Sequence, residues 1–166
     1  MIDLKNINQK DWFKNLTHQQ KELLQQSLFL LEDMKQHKRQ FFDYSFIVMP
    51  AAKAYEGFIK DVLLRLKLIS QNQYSGTRFR VGKSLNPELE NIPRLKKEAL
   101  YNELTQIFGN NEVPKLMWET WRVCRNQIFH YFPRKIQAIS LAQAEIRVRQ
   151  VIKTIRFILT HPQYKI

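Results

Sequence analysis

The chain has 166 residues, 44% of them hydrophobic, which suits one well-cored domain and excludes both a disordered chain and two separate cores. A single cysteine, Cys124, excludes an internal disulfide and a thiolate metal cluster, and no apolar run approaches the ~20 residues that span a bilayer. Lys and Arg number 27 against 15 Asp and Glu, a net charge of +12, which points to a polyanionic partner: nucleic acid first, an acidic protein second, an anionic membrane third.

Residues 1–15 form a polar lead-in whose Trp12 and Phe13 are expected to tuck onto the body. Met1–Asn6 lacks the charged start and apolar core of a signal peptide, and a lone cysteine fits a reducing compartment, so a soluble cytoplasmic protein is expected. Thr17 caps a first helix running to about Lys38, in which Leu23, Leu24, Leu28, Leu31 and Met34 recur at the helical period. Asp43 or Ser45 opens the segment Phe46–Leu68, which is apolar nearly all round and so belongs at the centre of a bundle. Pro50 either kinks that helix or occupies its first turn, and Ala51, Ala52 and Gly57 permit close helix contact.

Residues 70–93 break the helical pattern. A short alternation around Phe79, flanked by Gly76 and Gly82, reads as a long loop or a short hairpin. Arg78, Arg80 and Lys83 interleaved with Phe79 suit a nucleic-acid contact, and suit a solvated loop equally. A helix from about Arg94 to Phe108 stops at Gly109-Asn110-Asn111. Pro114 starts a further helix that continues to about Tyr131 and is closed by Pro133. Ser140 with Gln143 resembles a capping box, opening a last helix that carries Leu141, Ile146, Val148, Val151, Ile152, Ile155, Ile158 and Leu159 to Thr160. With only 4 glycines, few hairpins are expected. The sum is a single all-α domain over 1–166, an antiparallel bundle of about five helices with an irregular basic insert at 70–93.

Chemistry concentrates on the helix from Pro114. At 100° per residue from Cys124, the residues Met117, Trp121, Ile128 and Tyr131 fall within about 60° and form the core face. Glu119, Arg122, Asn126 and His130 fall on the opposite side, at roughly 160° to 240°, with Arg125 at the border beside Trp118 and Phe129. Two arginines, an amide and a histidine on one face provide fixed positive charge, hydrogen-bond donors and a side-chain type that exchanges a proton near neutral pH. That combination suits a phosphodiester; a solvated polar face is the alternative reading of the same phase.

The run Arg125-Asn126-Gln127-Ile128-Phe129-His130 resembles the Arg-x4-His signature of the HEPN superfamily, including the frequent Asn after the Arg, and stands late in a bundle with one helix following. The segment from Asp43 to Phe58 looks like the long central helix of HEPN toxins, and the stretch from about 43 to 160 is most similar to the catalytic domain of RnlA-type RNase toxins. The resemblance implies a homodimer with the two Arg125–His130 segments facing across a cleft, and metal-independent cleavage of RNA by a toxin of a toxin–antitoxin or anti-phage defence system. His130 is then the general base or acid, Arg125 stabilises charge on the phosphate, and Asn126 orients the histidine or the phosphate. Arg122, Glu119, Tyr131, Arg78, Arg80 and Lys83 are supporting or RNA-binding candidates, the first two on helix phase alone. The expected partners are RNA, a second copy, and a cognate antitoxin or nucleotidyltransferase-type inhibitor, with no membrane, metal or other cofactor. Some HEPN toxins place a Tyr two residues after the His, where such a transferase modifies it; here that position is Phe132.

Competing chemistries are less well supported. His18, His37, His130 and His161 show no metal-ligand pairing. Between Gly76 and Gly82 there is one residue too many for a phosphate-binding Gly-x4-Gly-Lys-Ser loop. Cys124 lies on the core face, which disfavours a nucleophilic role. Two alternatives to a nuclease remain: a non-catalytic HEPN module that binds RNA or an acidic protein, and a helical adaptor with no RNA role.

Overall fold

The computed structural model describes residues 6–130, 133 and 137–164. Residues 6–15, the described part of the lead-in, fold onto the body. Trp12 and Phe13 lie on the short helix α1 (Asp11–Lys14), packed edge to face with ring centroids 5.6 Å apart and buried together with Ile7 and Leu16. Helix α2 (His18–His37) opens on a capping box, in which Thr17 Oγ1 accepts from the Gln20 N–H and Gln20 Oε1 accepts from the Thr17 N–H. Lys38 ends it in the left-handed region at φ 49°. Its buried stripe is Gln20, Leu24, Ser27, Leu31 and Met34. Leu23 and Leu28 are only half-buried, because Ser27 takes the place between them against the next helix.

Helix α3 (Ser45–Arg65) is the central element, with Ile47, Val48, Ala51, Ala54, Tyr55, Phe58, Ile59, Val62 and Leu63 all buried. Asp43 sets its start by accepting from the Ser45 N–H at 3.1 Å. Pro50 stands beyond the first turn, where it lacks the N–H of a regular ladder. Ser27 of α2 reaches into the turn that follows. Its hydroxyl donates to the Ile47 carbonyl at 2.7 Å and accepts from the Ala51 N–H at 2.9 Å, joining two groups a helix normally pairs directly.

The insert is neither an open loop nor a hairpin. It consists of helical turns: α4 (Gln71–Ser75), capped by Ser70 and Gln73, α5 (Val81–Ser84), and a 3₁₀ turn at Pro87–Asn91. Val81, Ser84 and Leu85 are buried in the core, which holds the segment down. No strand occurs among the described residues. The helix expected from Arg94 begins later, as α6 (Tyr101–Phe108). The Leu100 N–H is committed to the Ser84 carbonyl at 2.8 Å and Ala99 is extended, so a ladder cannot run through from the 3₁₀ turn Lys96–Glu98. Gly109 closes α6 at φ 75°, as the sequence requires.

Helix α7 (Glu112–Trp121) starts ahead of Pro114 because Asn110 Oδ1 accepts from the Glu112 N–H at 2.9 Å. Helix α8 (Leu141–Leu159) opens on the Ser140–Gln143 capping box. Of its expected apolar stripe, Ile146 is 62% exposed while Val148, Val151, Ile152, Ile155 and Ile158 are buried.

Cross-links fix the directions. Gln20 bonds to Asp61 and Ser27 to Ile47, so α2 runs against α3; Lys35 pairs with Glu145 at 2.7 Å, so α2 also runs against α8. The Lys35 ammonium, with Arg149 beside it, holds the Glu145 carboxyl below the usual range. Tyr44 bonds to Ile139 at one end and Arg65 covers the Tyr164 ring at the other, which places α3 and α8 side by side in the same direction. Thr120 meets Thr154 at 2.8 Å in the core, and α7 runs against α8. No helix of the described residues is long and apolar enough to cross a membrane.

Candidate active site

Regular α-helix ends at Trp121, ten residues short of the expected end at Tyr131, and gives way to a π turn over Arg122–Asn126. The Gln127 N–H reaches back to the Arg122 carbonyl at 2.9 Å, five residues rather than four. Contacts from α8 hold the widened turn: Arg147 Nε donates to the Val123 carbonyl at 3.2 Å, and the Cys124 thiol donates to the Arg147 carbonyl at 3.5 Å. Wider turns of this kind are frequent at functional positions.

The turn leaves Met117, Trp121, Cys124 and Ile128 buried and exposes Arg122 and His130, with Glu119, Arg125 and Asn126 half-buried. His130 Nε2 lies 3.0 Å from Asn126 Oδ1. A carboxamide oxygen only accepts, so in this arrangement Nε2 carries the hydrogen and the lone pair of the neutral ring is on Nδ1. The Arg125 guanidinium carbon sits 5.1 Å from the centroid of the Trp121 ring. Such a cation–π contact contributes about 0.5–2 kcal/mol and limits where the charge can go. Trp121, which sequence phase marks only as core, is thus the platform for Arg125. Arg147 is a second residue that sequence reading does not single out; its contact lies 24 residues away in the chain and leaves no local pattern.

The other candidates divide. Glu119 lies in the groove between α7 and α8 with Lys115, Lys153 and Arg156, away from the π turn. Tyr101 is close enough to Glu119 that burial, with the carboxylate's charge, raises its hydroxyl above the usual range. Arg78 and Arg80 are exposed on the insert and line a cavity of about 220 Å³ with Phe79 and Lys97. Lys83 pairs with Glu98 at 3.0 Å. Tyr131 and Phe132 lie outside the described residues. Among the described residues, no three His, Cys, Asp or Glu side chains group closely enough to hold a metal ion.

The insert meets the site through Gly82. A methyl group there would stand 2.5 Å from Trp121 Nε1 and 3.2 Å from Cε2. Gly82→Ala gains up to about 1 kcal/mol of helix propensity, but overpacking a buried ring costs typically 1–3 kcal/mol. The expected net result is a loss of about 1–2 kcal/mol, visible as a lower thermal midpoint; an unchanged or higher midpoint would show that the ring moves freely.

Cys124 is fully buried, and that burial pushes its thiol up to about 12. The native protein is therefore expected to resist a disulfide-exchange reagent at pH 8 and to react at once in denaturant. Fast native labelling would contradict a core position.

No protein-family model matches this chain, and neither a curated protein nor a solved structure matches it.

Proposed function

We propose that the chain is a metal-independent endoribonuclease of HEPN type, with Arg125, Asn126 and His130 as its working residues. The observation that carries this reading is the 3.0 Å contact between His130 and Asn126, one residue on from an arginine stacked on Trp121, in a chain of net charge +12. His130 takes the proton of the ribose 2′-hydroxyl. The oxygen attacks the adjacent phosphorus as the bond to the 5′-oxygen breaks; the leaving 5′-oxygen takes a proton from solvent, His130 later returns its own to solvent, and a 2′,3′-cyclic phosphate remains. Arg125 meets the negative charge that gathers on the phosphate oxygens, where a guanidinium binds in bidentate fashion. Asn126 holds the imidazole in one orientation. A second copy of the chain would complete the cleft, and the biological setting would be a toxin kept in check by a cognate antitoxin.

The test is incubation of a mixed RNA with the wild type in EDTA. The expected result is cleavage with cyclic-phosphate ends. No cleavage by folded, dimeric protein would favour the second reading, a non-catalytic module that binds RNA. That reading draws support from Arg78 and Arg80, exposed on the insert.

A further inference from the structure

The loop between α2 and α3 displays aromatic rings in solvent. Phe42 is 79% exposed and Phe41 48%, and Met49 on the following turn of α3 is 52% exposed. Adjacent rings left in water mark a contact surface more often than isolated ones do.

The loop is held in place. Lys38 takes the left-handed conformation that turns the chain out of α2. The Tyr44 hydroxyl donates to the Arg39 carbonyl at 2.8 Å and accepts from the Phe41 N–H at 3.2 Å. The Phe41 ring packs edge-on against Tyr44 and Phe46, at centroid distances of 5.9 and 5.3 Å. Asp43 and Tyr44 then clamp Ile139, whose N–H donates to Asp43 Oδ1 and whose carbonyl accepts from the Tyr44 N–H, both at 3.0 Å. Phe42 is therefore presented by an ordered loop, and binding to it carries little ordering cost.

Charge and position complete the case. Lys38 and Arg39 are exposed directly before the rings, and Lys53 is exposed one turn beyond Met49. Ile139 sits just ahead of α8, and Arg147, about two turns into α8, reaches the π turn at Val123. The rings and the Arg125–His130 segment accordingly share one end of the bundle. Ile139 is nine steps along the chain from His130, so the clamp lies within about 30 Å of the histidine.

We infer that the Lys38–Phe42 loop is a stacking platform for the unpaired bases of a bound RNA strand; this rests on the RNA reading above. In a duplex each base face is already stacked on its neighbour, so a flat phenyl ring in water finds a partner only in an unpaired strand. Lys38 and Arg39 meet the phosphates between the stacked bases. Two rings at a loop tip bury far less than the apolar face of a helix that lies in a lipid surface.

The test measures binding by fluorescence anisotropy in a His130→Ala background, in which cutting is suppressed. The ligands are an oligouridylate and an RNA duplex of mixed sequence. Phe42→Ala is expected to weaken oligouridylate binding about 5-fold to 100-fold, the range for one stacked base. Phe42→Trp is expected to retain it, and duplex affinity is expected to stay constant. Lys38→Gln with Arg39→Gln is expected to flatten the salt dependence by about 1.4, near 0.7 per phosphate. Phe42 is outside the core, so each variant should melt with the parent. Unchanged oligouridylate binding by Phe42→Ala overturns the inference, as does an equal loss for the duplex. Two other results also overturn it. In one, Phe42→Ala abolishes binding to phosphatidylserine vesicles while RNA binding persists. In the other, it splits a dimer with RNA binding intact. Loss of single-strand binding in a protein that cuts nothing would sustain the platform and sink the nuclease. Cleavage by the wild type with an indifferent Phe42 would do the reverse.

Discussion

His130→Ala is expected to lower the rate of RNA cleavage by about 10²–10⁴-fold, the range that a positioned general acid or base contributes. The fold should be unaffected, because the ring is exposed and outside the core. Arg125→Ala is expected to cost about 10²–10³-fold, as removal of a donor aimed at developing charge typically does. Arg125→Lys should recover only part of this. An ammonium has no planar fork to clasp two phosphate oxygens, and it loses the stacked position over Trp121 that fixes the guanidinium. Asn126→Ala acts through the histidine and should lower kcat with KM little changed, by less than loss of the histidine itself. Initial rates on one fluorogenic RNA, in EDTA and with matched circular dichroism, measure all four. Rates within twofold of the wild type for His130→Ala would remove this residue from the chemistry.

Tyr55→Ala is expected to cost about 3–5 kcal/mol of folding stability, the range for truncating a buried aromatic. Against a typical total of about 5–15 kcal/mol this is a large share. At about 2–4 °C per kcal/mol in a chain of this size, the midpoint should fall by roughly 6–20 °C. The reason is position. Tyr55 is fully buried on the central helix, its hydroxyl donates to the Met117 carbonyl at 3.0 Å, and it lies against Thr120 and Cys124 beside the π turn. Tyr55→Phe keeps the ring and loses one hydrogen bond, for about 1 kcal/mol. A loss below about 1 kcal/mol for Tyr55→Ala would show that the site collapses around the gap.

The same residue carries a pH dependence. Burial holds the Tyr55 hydroxyl well above the usual tyrosine range, with Cys124 nearby adding to the effect. The folded state thus keeps its proton where the unfolded chain has lost it. Stability from this source is complete below about pH 10, the value of a free tyrosine, and falls as pH rises beyond it. Cys124 acts in the same sense from about pH 8.5, its free value, up to about 12. Denaturant midpoints measured from pH 7 to 11 should decline above about 8.5, and Tyr55→Phe should flatten the upper part of the decline.

Local signals in the chain determine much of this molecule. Thr17 with Gln20, and Ser140 with Gln143, cap helices where the side-chain chemistry of a first turn demands it, and Gly109 stops one because it alone adopts positive φ without strain. The all-round apolar pattern of 46–68 assigns α3 to the centre, since only burial on every side satisfies it. The 100° periodicity places Cys124 inside and His130 outside, and both positions hold although the regular helix ends at Trp121 and a π turn intervenes.

Tertiary structure decided the rest. The change from α-helix to π turn after Trp121 is held by Arg147 of α8, which donates to the Val123 carbonyl and accepts from the Cys124 thiol at its own carbonyl, contacts that no local window contains. The insert forms helical turns because Val81 and Leu85 find places in a core built by distant helices, and α6 starts late because the Leu100 N–H is taken by Ser84. Trp121 supports Arg125 with Gly82, from a distant part of the chain, close against its indole. Likewise Ser27 completes the turn after Pro50 only because α2 lies against α3. Capping and periodicity act over a few residues and are legible in order along the chain; these cross-helix contacts depend on which faces meet, and packing alone settles that.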